Sequence, residues 1–115
     1  MPLKFGPNGI EYESTFSNFN INTTTDISTG VTINSNDKKR FKLTIQNGST
    51  FDTSFIKKIN NDKIDIGDII NYTILSDVNN LDVKIYNVNN GYCYIEFLPD
   101  GDVDDNTEIM FLILT

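Results

Sequence analysis

Arg40-Phe41-Lys42-Leu43-Thr44-Ile45-Gln46, followed at once by Asn47-Gly48, is the stretch whose pattern decides the fold. Phe41, Leu43 and Ile45 alternate with Lys42, Thr44 and Gln46, the period of two that buries one face of a strand and wets the other. Asn47-Gly48 is the strongest short hairpin signal, because its turn needs residues that tolerate positive φ. The same alternation extends in both directions. Upstream, Ile10, Tyr12 and Ser14 alternate with Glu11, Glu13 and Thr15. Phe19 and Ile21 open a run that fades through Thr23-Thr24-Thr25 toward Ile27, and Val31 and Ile33 follow a turn-like Ser28-Thr29-Gly30. Downstream, Ile64 and Ile66 lead into Gly67-Asp68, and Ile70, Tyr72 and Ile74 share one face of the next strand. Asn79-Asn80 turns into Leu81, Val83 and Ile85. Asn89-Asn90-Gly91, a second hairpin signal, turns into the strand-like run Tyr92–Leu98.

Two segments depart from simple alternation. Phe51, Phe55, Ile56 and Ile59 fit one or two helical turns capped by Ser54, a short helix near 53–59, and they fit a bulged strand nearly as well. The chain closes on Ile109-Met110-Phe111-Leu112-Ile113-Leu114, apolar on both faces. Such a strand belongs in the middle of a sheet covered on both sides, or in an oligomer interface. Seven to nine strands about ten residues apart predict an all-β, single-domain antiparallel β-sandwich, Ig-like or jelly roll, with a small barrel as the other closed solution. The domain spans 10–115, preceded by an extended arm over 1–9.

Composition agrees and excludes much else. The 115 residues suffice for one core. Sixteen Ile, five Val and twelve Thr favour a pleated surface, and Ala, the best helix former, is absent. With no His and one Cys, the chain cannot assemble a Ser-His-Asp or Cys-His set, a disulfide framework, or a zinc site of His or several Cys. Cys93, inside the Tyr92–Leu98 run, reads as a small buried hydrophobe. A net charge of −7 repels nucleic acid, and no run approaches the ~18 apolar residues of a membrane helix. The basic clusters Lys38-Lys39-Arg40 and Lys57-Lys58 read as solvated surface. Asn is abundant at 16 residues, a skew that AT-rich codons explain without a function. Three Asn-x-Ser/Thr triplets, at Asn22, Asn47 and Asn71, are about what this composition produces by chance.

One cluster carries metal chemistry. Asp100, Asp102 and Asp104 stand at alternate positions, with Glu108 beyond them, and hard cations such as calcium take six to eight oxygens from such loops. The spacing copies the first three ligands of an EF-hand and then departs from it: Asp105 occupies the position that wants Gly, and Phe111 the one that wants a bidentate Glu. The competing reading is a solvated turn whose charges protect a sheet edge. No other cofactor is implied.

Lys63-Ile64-Asp65-Ile66-Gly67-Asp68-Ile69-Ile70-Asn71-Tyr72-Thr73-Ile74 resembles the Gly-Asp strand entry of immunoglobulin-like sandwich domains, in which Gly allows the turn and Tyr caps the core. As a whole the chain resembles small all-β accessory virion proteins of tailed phages, the head-decoration and tail-accessory type. The shared features are a start without an apolar leader, the Gly/Pro-containing arm Leu3-Lys4-Phe5-Gly6-Pro7-Asn8-Gly9 and an interface-like last strand. That resemblance implies a non-enzymatic structural protein, made in a host cytoplasm and placed in the virion. It would form a homo-oligomer or dock on a viral structural protein, with no nucleic-acid or membrane partner. Leu3 and Phe5 of the arm, and Met110, Leu112 and Leu114 of the last strand, are the expected interface. The alternative is a carbohydrate- or ligand-binding module, with Tyr86, Tyr92 and Tyr94 as a stacking platform and the acidic loop supplying calcium-mediated contacts. Its competing reading is that these Tyr are ordinary cross-strand pairs.

Overall fold

The computed structural model describes residues 3–6, 9–12 and 17–114, with side chains from residue 17 onward. Two short strands, β1 (Leu3–Gly6) and β2 (Gly9–Tyr12), pair antiparallel with each other. Eight further strands form the sandwich: β3 (Ser17–Ile21), β4 (Asp26–Thr32), β5 (Arg40–Ile45), β6 (Phe55–Asn60), β7 (Ile69–Ile74), β8 (Leu81–Asn89), β9 (Tyr92–Pro99) and β10 (Thr107–Leu114). They divide into one sheet ordered β3-β5-β10-β7 and a second ordered β4-β6-β9-β8. Among the described residues both sheets have open edges, which makes the architecture a sandwich rather than a barrel. Pairing is antiparallel except at β3 and β4, which join β5 and β6 in parallel.

Apart from the β8–β9 hairpin, every step along the sandwich crosses from one sheet to the other. This overturns the hairpin expected after β5. Asn47-Gly48 does turn, with Gly48 at φ +83°, but it delivers the chain to the opposite sheet, and β5 pairs with β10 and β3 instead. The Asp105 carboxylate accepts the Asn47 and Gly48 N–H groups at 2.7 and 3.1 Å, holding the turn against the loop before β10. The second signal does make a hairpin, with β8 and β9 joined through Asn90-Gly91.

Residues 53–59 are not helical. Phe55, Lys57 and Ile59 point inward in strict alternation, and β6 is zipped to β9 from Phe55↔Phe97 to Asn60↔Tyr92. Helical spacing and period two are indistinguishable over so short an apolar run, and the partner strand decides. Ser28-Thr29-Gly30 is likewise no turn between strands but an irregularity within β4, between Asp26 and Val31. There the Asp26 carboxylate accepts the Gly30 and Thr29 N–H groups at 3.2 and 3.3 Å. The Gly30 bond, chiefly, holds the Asp26 carboxyl below the usual range.

The core is continuous between the sheets. Phe41, Leu43, Ile45, Ile109 and Phe111 from one sheet meet Phe55, Ile59, Ile95 and Phe97 from the other. Phe41 stacks on its cross-strand partner Phe111 at 5.2 Å, and Phe55 on Phe97 at 4.7 Å. Cys93 is wholly buried, and burial pushes its thiol up to about 12, so it is held as the inert thiol. Among the described residues the interior also holds Thr44, Asn61 and Thr107, and Lys57 is its one charged side chain. It lies on the inward row of β6 at 4% exposure, its ammonium bonded to Asn22 Oδ1 at 3.0 Å. Desolvation lowers its pKa, with Asp26 opposing the shift. Lys57 is therefore no part of a solvated basic cluster. Its i, i+2 relation to Phe55 and Ile59 is the sequence signal for that placement.

Candidate functional site

Three surface features hold the residues singled out from the sequence. The first is the acidic loop. Val103 is buried and bridges to Phe51, and Asn80 Nδ2 donates to the Asp102 carbonyl oxygen at 2.7 Å. Thr107 Oγ1 donates to the Asp104 carbonyl oxygen at 2.7 Å. These bonds shape the loop from its backbone and leave Asp100, Asp102 and Asp104 side chains in solvent. Glu108 is not with them. It sits on the outer face of β10, paired to Lys42 at 2.7 Å. Among the described residues no three carboxylates or thiols are grouped as a metal site requires.

The second feature is the outer face of β10 and β7. Thr107, Ile109, Phe111 and Ile113 face the core, so Met110, Leu112 and Leu114 face out together. β10 is central in its sheet, as its two apolar faces require, yet Leu114 is 41% exposed. Register sets Leu114 beside Ile69, which is 62% exposed. The exposed large apolar side chains among the described residues are Ile27, Ile66, Ile69, Tyr72, Leu75 and Leu114. Five of these six lie on β7, at its entry or exit, or on the β10 residue paired with its start. Apolar residues scattered singly need no explanation, but a concentration along one edge does. The arm residues Leu3 and Phe5 belong to β1, and their side chains lie outside the described residues.

The third feature is the outer face of the other sheet. On β9 the inward residues Cys93, Ile95 and Phe97 leave Tyr92, Tyr94 and Glu96 facing out. Cross-strand register sets Tyr86 beside Tyr94 and Lys84 beside Glu96 on β8, with Lys58 on the other flank of Tyr94. All three Tyr are therefore brought together. Ring centroids lie 5.8 Å apart for Tyr86–Tyr94 and 6.0 Å for Tyr92–Tyr94, with the rings tilted to one another. The Lys58 ammonium lies 4.9 Å from the Tyr92 ring centroid and that of Lys84 lies 5.7 Å from Tyr86. Neither Lys is in an ion pair among the described residues, and both ammonium groups lie over Tyr rings, with the Glu96 carboxylate on the same face. Partial burial raises the Tyr86 phenol, and the Glu96 carboxylate adds to the rise. Lys58 and Lys84 were missed as site residues from sequence. Their signal was the same outward parity as the Tyr they flank.

Two hollows complete the surface. One of about 250 Å³ is lined by Ile33, Lys38, Asn60, Asn61 and Asp62, and one of about 330 Å³ by Asn79, Asn80, Asp82, Leu98 and Asp100. In the first, Asn61 Nδ2 donates to the Lys38 carbonyl oxygen at 2.6 Å, and Lys38 pairs with Asp62 at 3.0 Å; in the second, Asn80 Nδ2 donates to the Asp102 carbonyl oxygen at 2.7 Å. Among the described residues no helix is long and apolar enough to cross a membrane. Compared with models of protein families, with curated proteins and with solved structures, the chain matches none of them. The functional reading therefore rests on the three faces themselves.

Proposed function

We propose that this chain is a non-enzymatic structural module that assembles with copies of itself, as a decoration or accessory piece of a larger shell such as a virion. One observation carries the reading: exposed apolar side chains concentrate along β7 and the end of β10, beside a row in which Ile109 and Phe111 are fully buried. Met110, Leu112 and Leu114 supply the apolar surface and the edge of β7 supplies main-chain donors and acceptors. Native mass spectrometry at micromolar concentration, with calcium and after chelation, should show one discrete oligomer in both conditions. A monomer throughout would overturn self-assembly.

A second reading rests on the Tyr86–Tyr94–Tyr92 cluster, a glycan-binding face. Tyr rings stack on the apolar faces of sugar rings, and Lys58 and Lys84 favour sugars that carry acid groups. On this reading acidic glycans are captured in an array, and Tyr94→Ala, which removes the central ring, weakens capture by about tenfold. Arrays blank with and without calcium would remove the reading.

A further inference from the structure

We propose that two copies of this chain pair β7 to β7, antiparallel about a two-fold axis at Tyr72, continuing one four-stranded sheet into an eight-stranded one. The inference rests on the self-assembly reading and names its contact. β7 is the last strand of its sheet, and among the described residues nothing pairs with its outer edge. Both edges of the opposite sheet carry devices that discourage pairing, and β3, the other edge of β7's own sheet, is uncharged but shorter and places no large apolar side chain in solvent. β4 has Asp26 and the irregularity that ends at Gly30; β8 has Asp82, Lys84 and a register shift beyond Tyr86. β7, Ile-Ile-Asn-Tyr-Thr-Ile, has no charge, no proline and no bulge.

The strand is also complementary to itself. Ile69-Ile70-Asn71-Tyr72-Thr73-Ile74-Leu75 reads apolar, apolar, polar, aromatic, polar, apolar, apolar, the same in both directions about Tyr72. Antiparallel pairing centred there sets Ile69 against Leu75 of the second copy, Ile70 against Ile74, and Asn71 against Thr73. Residues directly opposite one another point to the same face. Ile69 and Leu75, 62% and 48% exposed, would thus cover each other on the outer face, while Ile70 and Ile74 extend the inner one.

The main-chain groups agree with this register. The Leu75 N–H donates to the Glu108 carbonyl oxygen at 2.8 Å, so residues 69, 71, 73 and 75 turn their amides toward β10. Residues 70, 72 and 74 then turn theirs to the open edge, which are the residues that pairing about Tyr72 joins in bonded pairs. Three such pairs make about six hydrogen bonds, two at each. Charge permits the approach as well. Each copy carries −7, but the flanking acids Asp68 and Asp77 fall opposite Ser76 and Gly67 rather than opposite each other. A seven-residue edge is a short contact, so the dimer is sought across micromolar concentrations.

Sedimentation velocity of the full chain across micromolar concentrations tests the register with charge swaps at two exposed positions. Ile69→Lys alone sets an ammonium against Leu75, and Leu75→Glu alone sets a carboxylate against Ile69. Each should weaken dimerisation by about tenfold or more. Combining the two in one chain sets Lys against Glu at both symmetry-related contacts and should restore the dimer. A wild-type monomer would overturn self-assembly and the pairing together. A dimer indifferent to either single change would overturn the β7 pairing and leave self-assembly standing. Single variants that dissociate without rescue in the double would overturn the Tyr72-centred register.

Discussion

Phe97→Ala is expected to destabilise the sandwich by about 3–5 kcal/mol, the range for truncating a fully buried aromatic ring. Phe97 has no exposed surface, stacks on Phe55 at 4.7 Å, and lies opposite both Phe55 and Val83 in the middle of its sheet. Removing the ring forfeits its transfer out of water and leaves a cavity, because β6 and β8 are pinned to β9 by their ladders and cannot collapse into it. A domain of this size has about 5–15 kcal/mol in total, so the variant stands close to unfolding at moderate temperature. At roughly 4 °C per kcal/mol the melting temperature should fall by about 12–20 °C. Urea denaturation of Phe97→Ala beside Phe97→Leu checks the cause, since Leu refills part of the space and should recover more than half of the loss. A loss below ~1 kcal/mol for Phe97→Ala would mean that the two sheets do not close over this ring.

Gly30→Ala should be the most damaging exchange among Gly30, Gly48, Gly67, Gly91 and Gly101. Gly30 has φ +78°, and a Cβ there would stand 2.6 Å from the Lys58 carbonyl oxygen, 3.0 Å from Asn60 Nδ2 and 3.0 Å from Lys58 Cβ. The left-handed backbone costs Ala about 1–2 kcal/mol, and forcing β4 away from β6 adds about 1–3 kcal/mol. The nearest obstacle is main chain in a paired strand, so no side-chain rotation relieves it. Gly48→Ala is the control, because Gly48 has φ +83° but open space around its Cβ position. It should show the backbone cost alone. Thermal melts of the two variants separate the contributions. Equal losses would show that β4 does not approach β6 as closely as the structure has it.

The distinction between those two glycines also marks how far the sequence could be read. Period two was legible in Phe41-Leu43-Ile45 and in Ile70-Tyr72-Ile74, and both rows face inward as their spacing requires. The same parity brings Tyr86, Tyr92 and Tyr94 to one face and Met110, Leu112 and Leu114 to another. Parity is a local property of an extended chain, because the pleat alternates side chains whatever the strand pairs with. Asn90-Gly91 was legible for a related reason: the strands it joins are neighbours in both sequence and space.

Pairing partners were not legible. Asn47-Gly48 carries the same local signal as Asn90-Gly91, yet its strand pairs with β10, some sixty residues away, and the turn crosses between sheets. A turn dipeptide states that the backbone bends; the apolar row beyond it chooses a sheet by what that sheet leaves uncovered. The ambiguity at 53–59 ended in the same way, when β9 supplied a ladder for Phe55–Asn60. The acidic run and the apolar C-terminal strand both looked like sites. Tertiary placement separated Glu108 from Asp100, Asp102 and Asp104, gave Asp105 to the Asn47-Gly48 turn, and left the outer apolar row beside an unprotected strand. That this protein is a chain of strands with inward and outward faces follows from alternation, which is written residue by residue. Which strands became neighbours, and so which outward residues form a surface, depended on the packed fold, because those contacts join segments whose attraction needs the rest of the core in place.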